Sequence, residues 1–189
     1  MSMDSIAHVL RAAHQISGAN KFTLMGSHAL LLEFSDESDI PTNMLRSQAH
    51  TIWPEDHPEL TDLIRGTLGR KTPFHQHFGY YADFLDPGSA ILPLDWADRK
   101  ITRDDPALFG GAIVTGPEIH DLALAKICVY RESEFTWVDM GINAGIIDPQ
   151  ELCDRIMEVP ESREFPAQKR LDVFSWISSR LPDDEECHE

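Results

Sequence analysis

The chain has 189 residues, with 32 acidic and 16 basic side chains, a formal net charge of -16 and 42% hydrophobic residues; this describes one globular domain that buries about 70% of its unfolded surface without disulfides or a structural metal. The acidic excess repels polyanions and disfavours nucleic acid as a partner, and no apolar run reaches the roughly 18 residues of a bilayer span. Met1-Ser2-Met3-Asp4 lacks the basic and apolar regions of a signal peptide, and three cysteines without a C-x-x-C pair argue against a disulfide framework and for a reducing cytoplasm.

From Ser5 to Ser17, Ile6, Val9, Leu10, Ala13 and Ile16 recur at helical spacing, with Asp4 or Ser5 as N-cap and Gly18 after the end. Lys21 to Met25 reads as a short buried strand. Gly26-Ser27 interrupts it, and His28 to Phe34 has helical composition, so strand, turn and helix follow in succession. Residues 35–44 read as a loop, Ser47 to Trp53 as a strand ended by Pro54, and Pro58 to Leu68 as a helix. From Phe74 to Phe84 the alternation predicts a strand, with Phe78, Tyr80, Ala82 and Phe84 on one face and His75, His77, Tyr81 and Asp83 on the other.

Ile91 to Leu94 and Ala112 to Thr115 read as further strands separated by a charged loop. The rest is helical: Pro117 to about Tyr130, a helix opened by Asp148-Pro149-Gln150-Glu151, and Phe165 to Leu181. The expected organisation is therefore an α/β core over residues 1–115, a helical C-terminal part of the same domain over 116–182, and an acidic tail over 183–189.

Four residues stand out as candidates for chemistry. Gly26 and Ser27 offer backbone N–H groups and a hydroxyl to an anion at a strand-to-helix turn, although a plain tight turn has the same sequence. Lys126 lies inside the apolar stripe of Ile119, Leu122, Ala123, Ile127 and Tyr130; its ammonium either snorkels to water or reaches an anion in a pocket. Arg131, Glu132 and Glu134 read as a solvated helix end. Asp83 is a candidate Mg²⁺ ligand, with Glu37 or Asp39 as further acids, although Pro41 favours a loop there. His75 and His77 share a face as zinc ligands would, but no second ligand pair accompanies them, and hydrogen-bonded histidines are the plainer reading.

The segments Leu24 to Leu31, Leu45-Arg46-Ser47, Ile52 to Leu60, Pro73-Phe74-His75, Phe78 to Tyr81 and Glu118 to Lys126, taken in order, resemble a family of small bacterial nucleotidyltransferase-fold proteins distantly similar to AbiEii-type toxins. The resemblance covers about residues 5 to 157. It implies a mixed sheet flanked by helices, nucleotide phosphates held at Gly26 and Ser27, a helical lysine at Lys126, and Mg²⁺ bound by acids on neighbouring strands. The acid pair implied for the strand before Pro54 falls at Ala49 and Thr51, and neither supplies a carboxylate. Two functions follow as expectations. One is a nucleotide- or anion-binding protein with weak or absent transfer, Asp83 and Lys126 being the catalytic candidates. The other is a binding module that meets a protein partner, as in toxin-antitoxin pairs, or a second copy of itself.

Overall fold

The computed structural model describes residues 2–34 and 36–182, so the acidic tail lies outside the described residues. The first apolar stripe forms helix α1 (Met3–Ser17), opened by a capping box on Ser2 rather than at Asp4 or Ser5, and closed by Gly18 at φ 72°. Strand β1 (Lys21–Leu24) leads through Gly26 into a single 3-10 turn, Ser27–Ala29, and a four-residue helix α2 (Leu30–Glu33). After two further 3-10 turns come β2 (Ala49–Pro54) and α3 (Thr61–Leu68).

The segment expected as one long strand divides. Its first half is helix α4 (Pro73–Phe78), and only Tyr81–Phe84 is extended, as β3. The cause is local: the Thr72 hydroxyl accepts from His75 N–H at 3.3 Å, Pro73 fits the first helical position, and Gly79 closes the turn at φ 77°. Those signals override an alternation of period two. His75 and His77 consequently sit on a helix, not on a strand face.

Ile91 to Leu94 is likewise not a strand. The extended segment falls inside the expected charged loop, as β4 (Ile101–Asp104), after the short helix α5 (Trp96–Arg99). Helix α6 (Pro106–Phe109) then leads to β5 (Ile113–Gly116). An outer strand tolerates Thr102, Arg103 and Asp104, whose charge also protects the edge from stray pairing.

The strands form one open mixed sheet in the order β3-β2-β1-β5-β4. β1 is antiparallel to β2 and parallel to β5; β2 is parallel to β3, and β4 antiparallel to β5. Phe22, Leu24, Ile52, Ala82 and Val114 are buried in the core shared with Ile6 and Leu10 of α1 and Ile64 and Leu68 of α3. Each fully buried aliphatic or phenyl group there contributes about 1.5–3 kcal/mol.

The helical C-terminal region comprises α7 (Ile119–Ile127), α8 (Glu132–Asn143), α9 (Pro149–Ile156) and α10 (Ala167–Ser178). α9 starts as its sequence predicts: the Asp148 carboxylate accepts from Gln150 N–H at 2.8 Å, and Pro149 follows. The residues read as a solvated end of α7 open a separate helix instead. The break comes at Tyr130, held in the left-handed region at φ 63°. Among the described residues, no helix is long and apolar enough to cross a membrane.

Candidate functional site

Gly26, Asp83 and Lys126 meet in one cleft of about 520 Å³, with Ala49 and Thr51 in its wall. The sheet register explains the meeting: Thr51 on β2 pairs with Asp83 on β3, and Ala49 with Tyr81, so the side chains of Thr51 and Asp83 stand beside each other. Met25 N–H donates to Thr51 O at 2.8 Å, which ties the Gly26 turn to the same strand. A Cβ on Gly26 would lie 2.9 Å from Thr51 Oγ1. Glycine is therefore required here by the close approach of β2 and not by an unusual φ, which is -96°.

Ser27 does not line the cleft. Because the regular helix after it is the four residues of α2, little helix dipole points at the turn, and the anion-stabilising field expected there is small.

Lys126 neither snorkels to solvent nor stands free. Its Nζ is 3.0 Å from Glu134 Oε2 and 4.7 Å from the centre of the Trp137 ring, so a carboxylate already neutralises it and an aromatic face covers it. The Lys126 and Glu134 side chains are 16% and 23% exposed. Sequence reasoning missed Glu134 because the partners lie on different helices, brought together by the left-handed turn at Tyr130. Arg131, the N-cap residue of α8, also lines the cleft, and its side chain has no ion pair or hydrogen bond among the described residues.

Asp83 is exposed. Its Oδ1 accepts from the N–H of Phe84 at 3.0 Å, and no cation among the described residues pairs with it. Glu37 and Asp39 form a separate 3-10 turn outside the cleft, where Glu37 Oε1 accepts from Met3 N–H at 2.7 Å. His75 Nδ1 accepts from Lys71 N–H at 3.0 Å. No group of three or more His, Cys, Asp or Glu among the described residues is placed to hold a metal ion. A single carboxylate beside a methyl and a hydroxyl does not fit the hard, multiply anionic set that Mg²⁺ takes.

The other polar residues of the Glu118 to Lys126 segment hold the fold together. Asp121 is fully buried and takes Arg99 Nε at 3.0 Å, Arg99 Nη2 at 2.8 Å and Arg155 Nη1 at 3.1 Å. Arg155 also donates to Glu118 at 2.5 Å, and Arg99 to Asp95. Burial would raise the Glu118 carboxyl, but hydrogen bonds from His120 and Arg155, with the charge of Arg155, hold it down, to about 2. His120 Nε2 accepts from Asp148 N–H at 3.0 Å, which leaves its proton on Nδ1 to donate to Glu118. One cluster thus clamps α5, the start of α7 and α9.

Behind the cleft wall lies a second pair that sequence reasoning did not single out. His28, from the turn after Gly26, and His50, between Ala49 and Thr51, are both fully buried with ring centres 4.5 Å apart. His28 Nε2 approaches Leu45 O at 3.3 Å, but its Nδ1 and both nitrogens of His50 meet no hydrogen-bond partner among the described residues. Burial lowers His28 to about 4; burial and then the neighbouring His28 lower His50 to about 3. Both rings are neutral at pH 7. Set against known protein families, curated proteins and solved structures, the chain matches none of them.

Proposed function

We propose that this is a nucleotidyltransferase-like protein whose cleft binds an anionic small molecule, a nucleotide phosphate being the best-suited class, with Mg²⁺-dependent nucleotidyl transfer weak or absent. The observation that carries this reading is the pairing of Asp83 with Thr51 on adjacent strands. The cleft keeps a glycine turn, a lysine and an arginine, yet of its two carboxylates Glu134 is held by Lys126, which leaves Asp83 alone where metal-assisted phosphoryl transfer needs at least two. The resemblance over residues 5 to 157 supports the nucleotide as ligand class. Two measurements test it. Ligand binding should raise thermal stability in EDTA as RT ln(1 + [L]/Kd). Incubation with radiolabelled nucleoside triphosphates, Mg²⁺ or Mn²⁺ and RNA or protein acceptors should transfer little label. Efficient labelling abolished by Asp83→Ala would overturn the reading.

A second reading, a module that self-associates, is favoured by α10, which exposes Leu171 and Phe174, and by a shallow groove of about 400 Å³ lined by Tyr130, Phe135 and Trp176. Light scattering on the purified chain tests it, and a strict monomer at high concentration removes it.

A further inference from the structure

The charges lining the cleft balance: Lys126 and Arg131 against Asp83 and Glu134. They are unequally committed. Lys126 and Glu134 neutralise each other at 3.0 Å with little exposure, so an anion gains from Lys126 only by displacing a carboxylate already in contact with it. Arg131 has no such competitor, and its forked guanidinium suits phosphate oxygens. Asp83 faces the same space without a counter-charge and repels each further negative charge brought in. Met25, Phe84, Leu85, Leu122 and Val129 supply an apolar lining, and about 520 Å³ is within the usual range of small-molecule clefts, about 300–1,000 Å³.

We infer that the ligand of this cleft is a phosphate monoester with an apolar or aromatic body, its single phosphate held by Arg131, and not a nucleoside triphosphate. This rests on the anion-binding reading above and deepens it. A triphosphate brings several more charges with it, and no third cation lines the cleft to meet them. The ion pair of Lys126 with Glu134 remains intact in the complex and acts as a wall beside the phosphate.

The test is titration calorimetry in EDTA with adenosine monophosphate, guanosine monophosphate, the corresponding triphosphates and inorganic phosphate. At least one monophosphate should bind no more weakly than its triphosphate and more tightly than inorganic phosphate. Arg131→Ala should weaken that monophosphate by about fivefold or more, with Arg131→Lys between it and wild type. Asp83→Asn should tighten the triphosphate more than the monophosphate. The Arg131 side chain makes no bond within the fold, so an unchanged urea midpoint for Arg131→Ala certifies that variant. Triphosphates binding tenfold tighter than monophosphates, or a monophosphate bound equally by wild type and Arg131→Ala, would overturn the inference while the anion-binding reading stands. Wild-type protein that binds none of the five removes that reading, and the inference with it.

Discussion

Replacing His50 by leucine tests how the buried histidine pair is linked to stability. Both folded-state values, about 4 for His28 and about 3 for His50, lie below the ordinary 6.5, so as pH falls the unfolded chain takes up protons before the folded one does. Stability is full above about pH 6.5 and declines as pH falls towards 4. With two histidines behaving alike, the slope approaches about 2.7 kcal/mol per pH unit, and at pH 5 each histidine has removed about 2 kcal/mol. Glu118 does not interfere in this window, because its contribution is complete above about 4.5 and is lost only as pH falls towards 2. His8 is also shifted down, by burial and then Arg11, but is common to wild type and variant. His50→Leu removes one titrating group and two nitrogens without hydrogen bonds, so it should be neutral or stabilising by about 1 kcal/mol at pH 7.5 and should take about 1.4 kcal/mol per pH unit off the slope. Urea denaturation followed by circular dichroism at pH 7.5, 6.0 and 5.0 measures both effects. A wild-type curve flat between pH 7 and 5, or a loss above about 2 kcal/mol on substitution at pH 7.5, would refute the reasoning, since either means that His50 is not a buried neutral ring without partners.

Asp121→Ala should cost about 1–3 kcal/mol in urea denaturation, because it removes the fully buried carboxylate that Arg99 and Arg155 share and leaves them only Asp95, Glu118 and Glu151; a loss under about 1 kcal/mol would show that the cluster is solvated. Gly26→Ala should cost about 1–3 kcal/mol, since its Cβ would lie 2.9 Å from Thr51 Oγ1, and much of that should be regained in a Thr51→Ala background. An equal cost in both backgrounds would place the strain elsewhere.

What the sequence disclosed depended on whether a signal was local. α1 and α9 were legible because apolar spacing and capping residues agree within a few positions. The strand, turn and helix around Gly26 were legible in order, but the sequence did not reveal that the regular helix would run for only four residues. α4 was misread although Thr72, Pro73 and Gly79 mark its ends, because alternating apolar and polar residues carry across a six-residue helix as readily as along a strand. β4 was missed because an edge strand needs no apolar face.

At the cleft, Gly26, Asp83 and Lys126 were identified one by one, and the structure brings them together. What sequence pattern could not supply was pairing. Glu134 reaches Lys126 across a helix break, and Arg99 and Arg155 reach Asp121 from positions 22 and 34 residues away. The histidine pair left a fainter trace: His50 opens the inward-facing side of β2, ahead of Ile52 and Pro54, where a hydrocarbon is the ordinary occupant.

The placement of β1 has a consequence for the order in which the chain can fold. Its partners on one side, β2 and then β3, are complete by residue 84, but on the other side Thr23 must wait for Thr115, 92 residues away. Until β5 arrives, β1 presents unpaired amides and carbonyls along Phe22, Thr23 and Leu24, an open template for a neighbouring chain. Synthesis paused before residue 113, or a fragment ending there, exposes that edge at the centre of the future sheet and invites aggregation. The cleft comes later still, because two of its walls belong to α7 and α8, so a nascent chain acquires its ligand pocket only after its most vulnerable edge has been sealed.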